Sequence, residues 1–117
     1  MTPAAFGVDL LGNVLDGAAL RHQVIAQNVA NVNTPGYRRR AVTFEQELAR
    51  QLEQKGVEAP YVSPRVIVQD GPIRFDGNSV DIVVEMNDLT RNALYYQAVT
   101  QVLTSRLAML RAAIAGR

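Results

Sequence analysis

Two runs of regularly spaced residues, one at each end of the chain, constrain its fold most strongly. The first run repeats at alternating intervals of three and four residues from Val8 to Val32, and His22 is its single polar member. The second run repeats the same intervals from Leu89 to Ile114. Such intervals place residues on one face of an α-helix, and a sustained heptad pattern is typical of coiled-coil packing. The sequence therefore predicts a long helix at each end of the chain.

Turn residues set the predicted boundaries of these helices within a single domain, residues 1–117. The first helix is predicted at residues 8–33, because the following Thr34-Pro35-Gly36-Tyr37 segment disfavours helical geometry. Pro followed by Gly suits the central positions of a type II turn. The last helix is predicted at residues 87–116, with Gly116 as its stop.

The middle segment, residues 34–86, is predicted to hold smaller elements. Thr43 is the expected N-cap of a short helix, and Asp76-Gly77-Asn78 is a tight-turn signal for a β-hairpin. The elements predicted in order are a short helix at 43–55, a loop at 56–65, and strands at 66–68, 73–75 and 80–84. The fold class is therefore mainly α, with two long helices packed as an elongated coiled-coil-like pair.

Helix length argues for an elongated molecule. A helix of about 25 residues is roughly 37 Å long, whereas a compact globule of this chain length is only about 35 Å across. Two such helices lie side by side more readily than they curl inside a sphere. Each apolar stripe is also wider than one partner helix needs, and uncovered apolar surface marks an interaction site. The chain is expected to assemble through its terminal helices.

Composition argues against catalysis and several kinds of binding. The chain has no cysteine and one histidine, His22, and its carboxylates form no recognisable pair, so neither a metal site nor a catalytic centre is expected. Phosphate-binding glycine loops are absent as well. The net charge of +1 is far from the clustered basic excess of nucleic-acid binders. We therefore expect no enzyme activity, no cofactor and no nucleic-acid partner.

The chain also shows no feature of a membrane or secretory segment. No stretch is long and apolar enough to span a bilayer, so direct membrane insertion is not expected. Residues 1–15 lack a basic start, and Asp9 interrupts their apolar residues, so no cleaved secretory signal is expected.

The candidate assembly residues come from the two helical stripes, the turn and the basic run after it. His22 is expected to have a structural or interface role. Arg38 to Arg40 form either a solvated surface or an anchor for acidic groups on a neighbouring subunit. The full set of candidates is Leu11, Leu15, His22, Ile25, Val29, Asn31, Pro35, Gly36, Tyr37, Arg38, Arg39, Tyr96, Leu103, Leu107 and Leu110.

Three motifs resemble those of a known family. The segment NVANVNTPGY, residues 28–37, resembles the ANxxTPGY signature of bacterial flagellar axial proteins, which include rod, hook and hook-associated proteins. DGNSVD, residues 76–81, is similar to the DGNxVD hairpin of the proximal rod proteins in that group. RNALYYQA, residues 91–98, resembles the NxxxYQA start of their last helix. The resemblance covers nearly the whole chain.

The resemblance implies a structural subunit of the proximal rod in the flagellar basal body, which self-assembles and transmits torque from motor to hook. It implies export by the flagellar type III apparatus without a cleaved signal, and a location in the periplasmic rod. The implied partners are other copies of the chain, rod proteins of the FlgC and FlgF types, the ring–rod junction protein FliE and the membrane ring. Two alternatives remain: an axial protein like FlgC, and a soluble helical adaptor.

Overall fold

The computed structural model describes residues 3–54 and 61–116, which form two long helices with three short elements between them. The elements are α1 (Pro3–Ala30), β1 (Arg40–Thr43), α2 (Glu45–Glu53), β2 (Arg65–Val68) and α3 (Ile82–Ala115). The molecule measures 63 × 29 × 14 Å. The predicted fold class, an elongated pair of long terminal helices, is confirmed.

Helices α1 and α3 pack side by side in opposite directions. The side chain of Asn28, near the end of α1, meets Glu85 in the first turns of α3. Further along the pair, the amide nitrogen of Asn92 donates to the carbonyl oxygen of Ala18 at 2.9 Å. The order of contacts is reversed between the two helices, so they run antiparallel. Ala18 is fully buried at this crossing, where its small side chain lets the helices approach closely.

A second face of α1 supports the small elements. Phe44, at the start of α2, lies over Gly17 of α1 and is 2% exposed. Phe44 belongs to a buried apolar cluster. The cluster consists of Val24, Val42, Phe44, Leu48 and Val62, and the partly buried Leu10, Val14 and Leu20 pack against it. Helix α1 therefore contacts α3 on one side and the middle segment on another.

Changing Gly17 to alanine should destabilise the protein by about 1–3 kcal/mol, because overpacking a filled core costs about that much. A Cβ at this position would lie 2.1 Å from a ring carbon of Phe44. The matched control is Gly12→Ala in the same helix, where a Cβ would meet nothing within 4 Å. Alanine should stabilise that site by about 0.4–1 kcal/mol. Urea unfolding followed by circular dichroism measures both, and equal effects would contradict the packing of Phe44 on Gly17.

The two strands form one antiparallel sheet, in which Arg40 pairs with Val68 and Thr43 with Arg65. A small antiparallel unit was predicted, and β2 lies where the strand at 66–68 was expected. The strands predicted at 73–75 and 80–84 are wrong: the first is an irregular segment and turn, and residues 82–84 open α3. The side chain of Asp81 accepts hydrogen bonds from the backbone of Val83 and Val84 and caps the helix there. The segment is helical because this cap favours a helix more than the alternation of Val80, Ile82 and Val84 favours a strand.

Helix ends differ from the predicted ones by a few residues. Helix α1 ends at Ala30 rather than at residue 33, and α3 begins at Ile82 rather than at residue 87. Thr43 belongs to β1 and is not an N-cap; Phe44 takes that position without a side-chain hydrogen bond. Gly116 adopts the left-handed conformation, φ 73°, after the last helical residue, as predicted. The predicted end of the short helix at residue 55 and the loop residues 56–60 lie outside the described residues.

Candidate assembly interface

A side chain from a distant loop closes the carboxyl end of α1. Asn78 is fully buried, and its amide nitrogen donates to the carbonyl oxygens of Asn31 and Thr34, both at 2.8 Å, and of Val32 at 3.2 Å. Its side-chain oxygen accepts from the backbone of Val80 at 2.7 Å. These three acceptors belong to the turn that follows the last helical residue, Ala30. Asn78 therefore joins the turn after α1 to the segment before α3.

Two glycine turns meet beside this asparagine. Gly36 and Gly77 have φ of 77° and 85°, a region that glycine adopts at little cost. The Gly36 N–H donates to the Asp76 carbonyl oxygen at 2.9 Å, and the Ser79 N–H donates to the Tyr37 carbonyl oxygen at 3.0 Å. A Cβ on Gly77 would lie 3.3 Å from the Cα of Gly36. The two turns therefore pack backbone against backbone at Gly77, where a side chain would be crowded, whereas Gly36 has space around it and is favoured there by its positive φ.

The turn at residues 74–78 is held from several sides. The Asp76 carboxylate accepts from the Asn78 N–H at 3.0 Å, and this hydrogen bond, followed by the contact with Arg74, lowers the pKa of Asp76. The Arg74 guanidinium donates to the carbonyl oxygen of Val80 at 3.0 Å and to that of Val32. The 74–78 turn is thereby fastened to both helix ends.

Arg39 forms the second connection to α3. Its guanidinium pairs with Glu85, whose side chain is fully buried, and with Asp88 at 2.8 Å. It also donates to the side chain of Gln69 after β2. Asn28 of α1 donates to the second Glu85 oxygen at 3.2 Å. These five side chains, which we call the Arg39 cluster, link α1, the sheet and α3 through a buried charge.

Asn28 also ties α1 to the edge of the sheet. Its side chain donates to the Arg40 carbonyl oxygen at 2.8 Å and accepts from the Arg40 N–H at 3.1 Å. The Tyr37 hydroxyl donates to the same Asn28 oxygen at 3.3 Å. Several residues of the 28–37 motif are thus joined in one polar network. Asn78, the two glycine turns and the Arg39 cluster, which includes Asn28, lie next to one another. We call them together the polar junction.

The predicted interface residues fall into two groups in the structure. Asn31, Gly36, Tyr37 and Arg39 belong to the polar junction, whereas His22 and Arg38 are exposed and lie apart from it. Arg39 contacts acidic groups of its own chain. Among the other predicted residues, Ile25 is buried, Leu11, Leu15, Val29, Leu103 and Leu110 are half-buried, and Pro35, Tyr96 and Leu107 are exposed.

Sequence reasoning missed the buried polar residues. Asn13, Asn78, Glu85 and Asn92 were not selected as site residues, yet all four are buried and hydrogen-bonded. Asn78 lay in the DGN motif, which was interpreted only as a turn. Glu85 carried no sequence signal, because its partner Arg39 is 46 residues away.

Helix α3 presents a large uncovered apolar surface. Helix α1 and the junction cover only one side of it in the described part of the chain. The exposed large apolar residues of α3, which we call the α3 stripe, are Ile82, Val83, Val84, Met86, Leu94, Tyr95, Tyr96, Val102, Leu107, Met109 and Ile114. Consecutive residues such as Leu94, Tyr95 and Tyr96 point about 100° apart on a helix, so this surface extends around the side of α3 that α1 leaves open. Exposed apolar surface of this extent usually marks a protein interface.

Within residues 3–54 and 61–116, no three histidine or acidic side chains come together as they would around a metal ion. No helix in these ranges is long and apolar enough to cross a membrane. The contacts described above bury apolar surface and pair opposite charges.

Comparison with known proteins connects this arrangement to one group. A family model described as "Flagella basal body rod protein" matches residues 17–38, which contain the second half of α1 and the glycine turn. "Flagellar basal body rod protein FlgB" of Borrelia hermsii is 36% identical over 115 residues, covering 81% of this chain and 85% of the relative. The Bacillus subtilis protein of the same description is 31% identical over 118 residues, with 91% of each chain covered. That of Salmonella typhimurium is 33% identical over 109 residues, covering 76% and 78%.

Proposed function

The chain belongs to the FlgB family of flagellar basal body rod proteins, and on that premise we propose that it builds the proximal rod by polymerising through its terminal helices and transmits torque from motor to hook. It is a structural subunit of the rod, located in the flagellar basal body, and it associates with other rod components. Its specific contacts and its mode of assembly are the subject of the proposal.

One observation carries the proposal: the α3 stripe is far larger than the chain itself can cover. Eleven large apolar residues of α3 are exposed, and they extend from Ile82 to Ile114 along nearly the whole helix. A surface of this length suits a neighbouring helix that lies alongside it. When such a surface binds a different surface of the next copy and the rotation does not close a ring, the result is an open helical filament.

The remaining parts of the proposal concern partners and export. We infer contacts with FlgC-type and FlgF-type rod proteins, with FliE at the ring–rod junction and with the membrane ring, and a final location in the periplasmic rod. Export occurs through the flagellar type III apparatus without a cleaved signal. The motifs at residues 28–37 and 76–81 support these inferences through family resemblance. Arg38 and Arg40, which are both exposed, are the arginines of the run that could meet acidic groups on a neighbour.

Changing Leu107 to aspartate tests whether the α3 stripe is the assembly surface. Leu107 is 44% exposed, so the isolated chain should lose little stability. In a packed rod the aspartate would be a buried, unpaired charge in every subunit, and rod content should fall roughly tenfold or more. The measurement is motility together with the rod content of basal bodies isolated from the bacterium that encodes the chain.

The matched control is Gln46→Asp, which adds the same charge at an exposed polar position of α2, away from α3. That variant should swim and build rods. A motile Leu107→Asp strain with normal rods would show that the α3 stripe is not used for assembly. Normal protein levels must be verified for both variants by immunoblot.

A further inference from the structure

A fully exposed phenylalanine projects from the polar junction. Phe75 lies at the tip of the 74–78 turn, and its whole side chain is in solvent. Nothing in residues 3–54 and 61–116 covers the ring, whereas the residues around it are tightly held. The Arg74 N–H donates to the Asn78 carbonyl oxygen at 2.8 Å, and the Gly77 N–H donates to the Arg74 carbonyl oxygen at 2.9 Å. The aromatic ring is therefore presented on a rigid support.

Rigid presentation of an aromatic side chain favours binding. Residues that dominate interface energies are most often aromatic or arginine, and they insert into pockets on the partner. Holding such a residue in place before binding reduces the entropy lost on association. An exposed phenylalanine on a mobile loop would lack this advantage, but the turn under Phe75 is bonded to both helix ends.

A groove that suits an aromatic ring lies elsewhere on the same chain. It runs between β1 and α3 over the surface of α1 and has a volume of about 710 Å³, within the range of ligand-binding clefts. Its walls are largely apolar, and Tyr95 offers a ring for stacking. The apolar lining residues are Val24, Ile25, Ala41, Val42, Val84 and Tyr95. Phe75 does not line the groove, so it is not occupied by the ring of its own chain.

The charges of the two surfaces are opposite. The segment from Asp70 to Asp81, which carries Phe75, contains three aspartates and one arginine. The groove is lined by four arginines, Arg21, Arg39, Arg40 and Arg91, against the two carboxylates of Glu45 and Asp88. Complementary charge around an apolar contact guides association and sets its orientation.

We propose that Phe75 of one copy inserts into the β1–α3 groove of a second copy of this chain. We call the Phe75 side chain the knob. Knob and groove occupy different places on each molecule, so the contact is head-to-tail. A pair of bound copies therefore still has one free knob and one free groove. Such contacts propagate into helical filaments. The inference rests on the proposed rod function and adds a contact at a different place from most of the α3 stripe, with which the groove shares Val84 and Tyr95.

Cross-linking between single-cysteine variants tests the contact directly, because the natural chain has no cysteine. Ile73→Cys, next to the intact Phe75, and Arg91→Cys, at the rim of the groove with Tyr95 intact, are purified separately, mixed at rising concentration and treated with a short bis-maleimide. We expect cross-linked dimers in the mixture, and roughly tenfold fewer from either variant alone. Tyr61→Cys, an exposed site that does not line the groove, is the control partner for Ile73→Cys and should give only background.

Phe75→Ala supplies the second measurement. Its ring packs on nothing in the free chain, so folding should be unchanged by circular dichroism. Self-association, measured by analytical ultracentrifugation of the purified chain, should weaken on the order of thirtyfold, as is typical when a central anchor is truncated. Ile67→Ala, which removes an exposed side chain of β2, should change it little.

The outcomes separate this contact from the rod function. If Ile73→Cys links to Tyr61→Cys as readily as to Arg91→Cys, or if Phe75→Ala associates like the natural chain, the knob-and-groove contact is wrong. The presence of the natural chain in isolated basal bodies is assessed independently by immunoblot. If the natural chain is present in basal bodies but the cross-linking result is negative, the knob-and-groove contact is overturned and the rod function is retained. Absence of the natural chain from basal bodies would overturn the rod function, while the cross-linking in solution would still decide the contact.

Discussion

Replacing Asn78 with alanine should lower the free energy of unfolding by about 3–5 kcal/mol. The substitution removes a fully buried amide that bonds three carbonyl oxygens at the end of α1 and one backbone N–H before α3. Each buried polar group left without a partner costs about 1–3 kcal/mol. The loss should appear as a lower urea midpoint with an unchanged m-value, measured by circular dichroism on the purified chain.

The control for this variant is Asn87→Ala, which changes the same residue type at an exposed position of α3. Alanine favours the helix there, so stability should stay within about 0.5 kcal/mol of the natural chain. An Asn78→Ala protein as stable as the Asn87→Ala protein would show that the amide does not hold the two helix ends together.

Replacing Arg39 with alanine should also cost about 3–5 kcal/mol, because removing one partner of a buried ion pair leaves the other charge uncompensated. The stranded group is Glu85, whose side chain is fully buried. Arg38→Ala is a closely matched control, since the neighbouring arginine is exposed. Urea unfolding of the two variants measures the difference.

A double variant separates the charge effect from simple loss of packing. Arg39→Met combined with Glu85→Leu removes both charges and keeps much of the apolar volume. Replacing a buried pair by apolar residues is often nearly neutral, so the double variant should recover part of the stability lost by Arg39→Ala. If Arg39→Ala and Arg38→Ala unfold at the same urea concentration, the Arg39 cluster contributes no stability.

Asn78 and Arg39 have the same structural role, which is to hold the ends of α1 and α3 in one geometry. Asn78 acts through the backbone of the glycine turn, and Arg39 acts through the side chains of α3. A subunit that transmits torque through its helices benefits from rigid helix ends, since a loose junction would let the helices rotate against each other. The polar junction also supports the turn that presents Phe75.

The amino-acid sequence by itself determined the two long helices and the turn after the first one. Intervals of three and four residues describe one helical face regardless of what packs on it, and they extend over most of both terminal segments. Pro35 and Gly36 restrict the backbone locally, so the end of α1 was predictable within a few residues. Gly116 was predictable as the stop of α3 for the same reason.

Only the tertiary structure decided the strand positions, the start of α3 and the buried polar residues. Val80, Ile82 and Val84 alternate like a strand, but the Asp81 cap and the packing of Glu85 on α1 draw this segment into the helix. Whether a polar residue is buried depends on partners distant in sequence: Asn92 bonds Ala18 across 74 positions, and Arg39 reaches Glu85 across 46. Burial of such groups is stable only when distant residues satisfy their hydrogen bonds, and no local pattern in the sequence shows which residues those are.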